Sequence, residues 1–224
     1  MQPWIHLGTA VVPGGGGELR LMQRGTEFVI MAGRIPLMNS RMSGSEEALA
    51  TLAWEKIAAG RAPHILVGGL GMGFTLRKLL AICGTDARIT VAELVPEVVQ
   101  WAAGPLHPIF GNSLDDPRAR IEVADVAALI GAGKAAYDAI LLDVDNGPDG
   151  LSRPGNDRLY SAKGLAVTRT ALRPGGVLAV WASEPDAGFT RRLGSAGFRV
   201  EEKTVRERSN GKGARHTIWL AERA

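Results

Sequence analysis

Beyond Pro63, short apolar runs alternate with segments of helical spacing. The runs HILVGG, RITVAEL, RIEVAD and YDAILLDV each have the length of a β-strand, and a helical segment follows each of them. This alternation is typical of βαβ units with a mainly parallel sheet. Because crossovers between parallel strands are right-handed, we expect helices on both faces of that sheet.

The C-terminal part departs from this alternation. GGVLAVWAS predicts one more strand, residues 187–195 predict a short helix, and FRVEEKTVRER and ARHTIWLAER predict two strands joined by the loop SNGKG. The whole pattern predicts an α/β, Rossmann-like fold with a mostly parallel seven-stranded sheet and a C-terminal antiparallel hairpin. Its element order resembles that of class I methyltransferase domains.

The N-terminal part has a shorter period. Residues 18–38 alternate between strand-like runs and turns at Gly25 and Gly33, which predicts a small antiparallel β meander. The four glycines at 14–17 indicate a flexible connector, so the first dozen residues are expected to be loosely coupled to the rest. We therefore predict an arm and glycine linker over 1–17, a meander over 18–42, and a Rossmann-like nucleotide-binding catalytic domain over 43–224.

The composition indicates one globular chain. Its 224 residues are 46% hydrophobic and carry a formal net charge of +3. The basic clusters of the C-terminal third lack interleaved aromatic residues, so no nucleic-acid partner is expected. The longest apolar runs are far shorter than the roughly 20 residues that span a bilayer, and the N-terminus does not resemble a signal peptide. We expect a cytoplasmic location without a membrane partner.

The sequence gives no sign of a metal site. Cys83 is the single cysteine, which excludes an internal disulfide and a multi-cysteine zinc site. The histidines also lack metal-ligand spacing to acidic or cysteine partners; they are His6, His64, His107 and His216. No metal cofactor is expected.

Glycines and acids at successive strand ends predict a nucleotide site. HILVGG runs into GLGMG just before a helix, where glycines let the backbone approach a ligand and helix amides point at it, although a tight turn alone would also explain them. Glu93 ends the next strand and can accept both ribose hydroxyls, and Asp125 ends the third strand near the base. The predicted cofactor-binding residues are Gly68, Gly69, Gly71, Gly73, Glu93, Leu94, Asp125 and Val126.

The fourth strand end carries the candidate catalytic group. Asp143 lies at the carboxyl edge of the predicted sheet, where it can orient or deprotonate a nucleophile, or else cap a local turn. Asp145 and Asn146 follow it as candidate substrate contacts. Tyr160 is either a substrate contact from a lid or an aromatic residue at a helix start. The tryptophans Trp54, Trp101, Trp181 and Trp219 are expected in the core, with Trp101 also able to reach an adenine ring.

From about Leu19 to the C-terminus, the chain resembles the spermidine synthase family. The matching pieces are LVGGLGMG for the glycine-rich motif, ITVAELVPEVV for the ribose-binding strand and helix, IEVAD for the adenine strand, LLDVDN for the catalytic strand end, and LYSAKGL and LRPGGVLAV beyond it. The resemblance implies binding of S-adenosylmethionine or its decarboxylated form, and it implies that the meander is a shortened version of the family's small β domain.

Departures from the family pattern lie on the acceptor side. Met72 stands where the glycine-rich motif of the family has an aspartate, and Asn146 stands for the second aspartate of the catalytic motif. Alignment through Gly33 places Pro36 at a family glutamine. The resemblance therefore implies a conserved type of nucleotide pocket beside a rewritten diamine site.

The start of the first long helix departs as well. The Tyr-His-Glu triplet of the family becomes Ser45, Glu46 and Glu47. A diamine must be held by its ammonium groups, so these changes remove expected partners. Glu46, Glu47 or Asp145 are the candidate replacements, and efficient transfer to putrescine is not expected.

Three functions remain open at this point. Methyl transfer from S-adenosylmethionine to a small-molecule acceptor is the favoured hypothesis, because of Met72 and Asn146. Aminopropyl transfer from decarboxylated S-adenosylmethionine, as in a polyamine synthase, is the first alternative. A non-catalytic nucleotide-binding protein is the second.

The meander also predicts a partner. Phe28, Ile30, Ile35 and Leu37 lie on a unit that is too small to bury them all by itself. Similar family members pair through this region, so we expect a homodimer through the N-terminal β region.

Overall fold

The computed structural model describes residues 2–57, 62–144, 157–208 and 210–224. The described residues form two sheets whose strands are β1 (Ile5–Val11), β2 (Glu18–Arg24), β3 (Glu27–Ala32), β4 (Ile35–Asn39), β5 (His64–Gly68), β6 (Arg88–Glu93), β7 (Ala119–Val123), β8 (Tyr137–Leu142), β9 (Leu172–Ala182), β10 (Phe198–Arg206) and β11 (Arg215–Arg223). The helices are α1 (Gly44–Lys56), α2 (Phe74–Ile82), α3 (Pro96–Ala103), α4 (His107–Phe110), α5 (Val126–Ala132), α6 (Asp157–Tyr160), α7 (Ala162–Ala171) and α8 (Ala187–Ser195).

The larger sheet has seven strands in the order β10-β11-β9-β8-β5-β6-β7. The pairs β9-β8, β8-β5, β5-β6 and β6-β7 are parallel, whereas β11 runs antiparallel to both β9 and β10. The predicted α/β fold with a C-terminal antiparallel hairpin is therefore confirmed. Helix α4 is a short element that the sequence pattern did not predict.

Alternation along the buried strands explains why both faces of this sheet are covered. In β5, Ile65 and Val67 pack with α1 and α2, whereas Leu66 packs on the opposite face with α5 and α7. Successive side chains of a strand point to opposite faces, so a strand apolar at every position must be buried on both. The carboxyl ends of β5, β6, β7 and β8 consequently meet at one edge, as a doubly wound sheet requires.

The smaller sheet is an antiparallel meander in the order β1-β2-β3-β4. The prediction of a loosely coupled N-terminal arm is wrong for residues 5–11, because β1 pairs with β2 from Ile5 to Val11. Gly8 of β1 lies against the Trp101 ring, where an added Cβ would sit 2.8 Å from its Nε1. The β1 strand thus packs against α3, which connects two strands of the larger sheet.

The inner face of the meander is already covered within the chain. Phe28 is 4% exposed and Ile30 is fully buried in the same core as α1 and α2, so these two residues were wrongly expected to need a partner. Ile35 remains 61% exposed, and Val11 and Trp4 are exposed at 67% and 39%. The homodimer stays a prediction, and light scattering at tens of micromolar tests it.

Within the described ranges, no helix has the length and apolar character that crossing a membrane needs. The cytoplasmic location stays a prediction. Among the same residues, no group of three or more histidine, cysteine or acidic side chains is arranged to hold a metal ion.

Candidate active site

The turn between β5 and α2 needs glycine because two other strand ends crowd it. Gly69 has a φ of +92°, and a Cβ there would lie 2.5 Å from the carbonyl oxygen of Asp143. The Gly69 amide donates to the Ala92 carbonyl at 2.8 Å, and the Asp143 amide donates to the Gly68 carbonyl at 3.0 Å. These bonds hold the ends of β5, β6 and β8 at one level, so their side chains surround one site.

Glu93 is fixed at this edge by backbone amides. Its Oε2 accepts from the Leu70 amide at 2.9 Å and its Oε1 accepts from the Val95 amide at 2.9 Å. The side chain is buried, and this burial raises the pKa of the carboxyl against the lowering effect of the amides. The amides of Gly71 and Leu94 also lower this pKa, so the carboxyl group is held by the amides of the two surrounding turns.

Asp125 lies at the next strand end with a different environment. Its side chain is exposed and accepts from the Ala127 amide at 2.8 Å, which makes it the N-cap of α5. Its second carboxyl oxygen has no hydrogen-bond partner among the described residues. Asp125 therefore has both a structural role and a free acceptor at the pocket edge.

These strand ends line a pocket with about 860 Å³ of empty space, its open mouth included. We call it the nucleotide pocket, and its lining residues are Val12, Gly16, Leu19, Ala32, Leu37, Met38, Gly69, Gly71, Ala92, Glu93, Leu94, Val95, Ala124, Asp125, Val126, Asp143 and Val144. Apolar walls with a few convergent polar groups are typical of small-molecule sites.

A second cavity adjoins the nucleotide pocket. We call it the acceptor chamber, and it is lined by Leu37, Met38, Glu46, Leu70, Gly71, Met72, Gly73, Phe74, Asp143 and Trp181. Four residues line both cavities: Leu37, Met38, Gly71 and Asp143. Asp143 therefore stands where the two cavities join.

The acceptor chamber brings two carboxyl groups together. Thr75 Oγ1 donates to Asp143 Oδ2 at 3.0 Å and lies 3.5 Å from the backbone carbonyl of Glu46. Burial raises the pKa of Asp143 to about 6. Burial and the nearby Asp143 charge raise the pKa of Glu46 to about 7, although Ser45 Oγ donates to Glu46 Oε2 at 2.6 Å. Carboxyls with pKa values this close to neutrality are characteristic of acid-base sites.

The predicted cofactor residues divide between several locations. Six of the eight line the nucleotide pocket: Gly69, Gly71, Glu93, Leu94, Asp125 and Val126. Gly73 lines the acceptor chamber and is the N-cap of α2. Gly68 lies inside β5, where a Cβ would meet Val126 and Leu142 at 3.1 to 3.2 Å, so its role is packing.

The predicted substrate residues also divide. Glu46 lines the acceptor chamber, whereas the Glu47 carboxylate accepts from Ser43 Oγ at 2.8 Å and lines neither cavity. Tyr160 is buried with its ring edge-on to Phe189 at 5.6 Å, and among the described residues it lines neither cavity. Asp145 and Asn146 lie outside the described residues.

The alignment of Pro36 with a family glutamine does not place it in the site. Pro36 pairs with Met31 in β4 and β3, and it lies on the outer face of the meander with Trp4 and Arg20. The neighbouring Leu37 and Met38 line both cavities instead. The register between β3 and β4 shifts at this point, so Leu37 and Met38 both reach the cavities whereas Pro36 does not.

Several residues around the two cavities come from distant elements and were not predicted from the sequence. Thr75 was not singled out, and Trp181 was expected only in the core, although it lines the acceptor chamber. The meander supplies Leu37 and Met38 to both cavities. An apolar residue on a strand shows that one face is covered, but it does not show whether a core or a ligand covers it.

Comparison with known proteins connects this geometry to a family. No protein-family model matches the chain. It is 33% identical over 138 residues to the polyamine aminopropyltransferase of Mycobacterium tuberculosis, over 60% of this chain and 25% of that protein. It is 30% identical over 142 residues to polyamine aminopropyltransferase 2 of Pseudomonas aeruginosa, over 58% of this chain and 38% of that protein. The chain thus matches well under half the length of these relatives.

The fold has a counterpart among solved structures. The spermidine synthase of Thermotoga maritima superposes with a TM-score of 0.77 at 19% identity, over 98% of this chain and 73% of that protein. Together the comparisons confirm the resemblance to the spermidine synthase family. The prediction of methyl transfer as the main activity is wrong, because these relatives and this structural neighbour are named aminopropyltransferases and a spermidine synthase.

Proposed function

We propose that this chain transfers an aminopropyl group from decarboxylated S-adenosylmethionine to an amine acceptor. The observation that carries this proposal is the pair of joined cavities with Asp143 at their junction. One cavity has the ribose and base partners of a nucleoside, and the other has a second carboxyl group for a cation. The names of the relatives support the same activity.

The nucleotide pocket fits the nucleoside part of such a donor. Glu93 would accept from the ribose hydroxyls at the pocket wall, and Asp125 would accept from the adenine amino group. Gly69 and Gly71 lie at the turn where a side chain would intrude; a Cβ on Gly71 would sit 2.9 Å from Met38 Sδ. The donor supplies a carbon next to a positively charged sulfur, which is the electrophile of the reaction.

Asp143 is then placed to act on the acceptor. The acceptor nitrogen forms a bond to that carbon as the carbon–sulfur bond breaks, and the sulfur keeps the bonding electrons as a neutral thioether. The proton that leaves the nitrogen passes to the Asp143 carboxylate, so charge and atoms balance. A carboxyl with a pKa of about 6 is largely ionised at neutral pH and can accept this proton.

Positioning accounts for much of the remaining acceleration. Thr75 fixes the Asp143 carboxylate through its Oδ2, and the walls of the two cavities direct both reactants to one junction. Holding two reactants in attack geometry replaces a bimolecular encounter by an effectively unimolecular step. Water is restricted by Met38, Met72 and Phe74, which line the chamber.

The test is a product assay. The purified protein is incubated with decarboxylated S-adenosylmethionine and a set of primary amines. Methylthioadenosine is quantified by chromatography, and the mass of the amine product is measured by mass spectrometry. The proposal predicts that methylthioadenosine and an aminopropylated amine form in equal amounts. Tight methylthioadenosine binding without turnover of any amine would contradict it.

A further inference from the structure

We infer that Glu46 and Asp143 together bind the acceptor nitrogen as an ammonium group, before Asp143 takes the proton that frees its lone pair for attack, so that the chamber selects a primary amine whose remainder is apolar. This inference rests on the proposed function, and it names the acceptor class of the same site. It also distinguishes Glu46 from Glu47 as the acceptor-binding acid.

The two carboxyl groups reach the chamber from elements that are far apart in the chain. Glu46 belongs to the first turn of α1, and Asp143 follows β8. Thr75 in α2 lies between them, with its hydroxyl bonded to Asp143 and close to the Glu46 backbone. Both acids line the acceptor chamber, so one cationic group in that chamber can contact both of them.

The charge of this pair is not balanced by the protein. Among the described residues, no lysine or arginine forms an ion pair with Glu46 or Asp143. The charged group that faces Glu46 from the segment after β10 is Glu207, which adds to the repulsion, and Glu47 on α1 is turned to Ser43. Buried like charges without a cation are unfavourable, so the site favours a cationic ligand.

The remaining walls indicate what accompanies the ammonium group. The described residues that line the chamber besides the two acids and two glycines are apolar or aromatic: Leu37, Met38, Leu70, Met72, Phe74 and Trp181. A second ammonium group beyond the first would meet these walls without a described carboxylate. An apolar chain would instead lose its exposure to water there, which stabilises binding.

The inference predicts that amine binding changes the number of protons that Glu46 and Asp143 hold. Burial and mutual repulsion raise the pKa of both carboxyls, to about 7 for Glu46 and about 6 for Asp143, so the pair retains part of a proton near neutral pH. An ammonium group between them favours the ionised forms and lowers both pKa values. Amine binding at pH 6.5 is therefore expected to release a proton from the pair.

The first experiment measures binding rather than turnover. Butylamine is titrated by calorimetry into protein loaded with methylthioadenosine, in two buffers that differ in ionisation enthalpy, for the wild type, Glu46→Gln, Glu47→Gln and the exposed control Glu55→Gln on the same helix. We expect Glu46→Gln to weaken butylamine binding about tenfold or more, because charged hydrogen bonds are lost, and to reduce proton release, because only Asp143 remains to be deprotonated. The variants Glu47→Gln and Glu55→Gln should match the wild type, and methylthioadenosine affinity should be the same in all four.

The second experiment compares two amines of equal chain length. Butylamine and putrescine differ only by a second amine, and a chamber that clamps one ammonium group should bind butylamine at least as tightly. Unchanged butylamine affinity in Glu46→Gln, a larger effect of Glu47→Gln, no amine binding by the wild type, or a tenfold preference for putrescine would each overturn the inference. Because no step needs turnover, amine binding through Glu46 without methylthioadenosine formation would contradict the proposed function alone.

Discussion

The nucleotide pocket and the acceptor chamber share four lining residues, but their carboxyl groups differ in the hydrogen-bond partners that the protein gives them. Glu93 is held by the Leu70 and Val95 amides, and both bonds come from turns next to strand ends. Glu46 and Asp143 have hydroxyl donors and no cationic partner among the described residues. The fold itself thus satisfies the acid of the first cavity, whereas the second leaves negative charge for a ligand to neutralise.

The two cavities therefore differ in how much a bound ligand changes the stability of the protein. A carboxylate bonded to backbone amides is part of the scaffold and changes little when a ligand arrives. A half-buried pair of acids with raised pKa values destabilises the empty protein, and a bound cation removes that destabilisation. The nucleotide pocket should therefore be preorganised, and the acceptor chamber should depend strongly on pH and on its ligand.

The largest effect is expected from Asp143→Asn. The amide keeps the shape of the side chain and its contact with Thr75, but it cannot take a proton from the acceptor. Removing a general base typically costs about 100-fold to 10,000-fold in rate. Single-turnover methylthioadenosine formation measures this loss.

The same variant separates the two regions. Methylthioadenosine affinity should stay within about threefold of the wild type, because the ribose and base partners are untouched. A variant that keeps more than a tenth of the wild-type rate would show that Asp143 is not the base. A variant that loses nucleotide affinity as strongly as rate would show that the two cavities are not separable.

Glu93→Ala should affect the nucleotide pocket rather than the acceptor chamber. We expect methylthioadenosine to bind at least about tenfold more weakly, since charged hydrogen bonds of roughly 1.5 to 3 kcal/mol are lost. The midpoint of thermal unfolding should also fall, because two buried amides lose their acceptor. Calorimetry and thermal unfolding measure the two quantities, and an unchanged affinity in a folded variant would remove Glu93 from the site.

The folding stability of Glu46→Gln tests whether the charge of the acceptor chamber destabilises the empty protein. The pKa of Glu46 rises from its usual 4.5 to about 7 in the folded protein. Between these pH values the folded state binds more protons than the unfolded state, so folding stability falls as pH rises from 4.5 to 7, and the penalty is complete above 7. The glutamine variant, which cannot ionise, should therefore be more stable than the wild type at pH 8 and equal to it at pH 4.5.

The expected gain at pH 8 is about 1 kcal/mol after allowance for solvent screening, which is about 2–4 °C for a chain of this size. Thermal unfolding at the two pH values checks it. The exposed Glu55→Gln serves as the control and should show no such pH dependence. A gain of equal size at pH 4.5 would show that packing, rather than charge, is responsible.

The same contrast explains what the sequence could predict. The glycine turn, Glu93 and Asp125 lie at ends of strands whose order follows from local periodicity, so their convergence was predictable. The acceptor chamber joins α1, α2, β4, β8 and β9, and no local pattern reports that Glu46 faces it while Glu47 bonds to Ser43. Pro36 shows the limit most clearly, because a shift of one strand residue exchanges the outer face for the cavity.

The smallest effect is expected from Asp125→Ala, although Asp125 and Glu93 occupy equivalent strand ends. Asp125 is exposed, and one of its oxygens caps α5 through the Ala127 amide at 2.8 Å. In water-accessible surroundings a lost hydrogen bond to adenine is largely replaced by solvent, so methylthioadenosine affinity should fall no more than about threefold. The lost cap should lower stability by about 1 kcal/mol.

Asp125→Asn provides the matched variant, because asparagine also caps helices well and keeps an acceptor oxygen. It should restore most of the stability, and calorimetry should find its nucleotide affinity close to that of the wild type. A tenfold loss of affinity in Asp125→Ala, similar to that expected for Glu93→Ala, would mean that exposure does not set the strength of these contacts. The strand-end acids would then act as one unit, and the nucleotide pocket would owe its preorganisation to both of them.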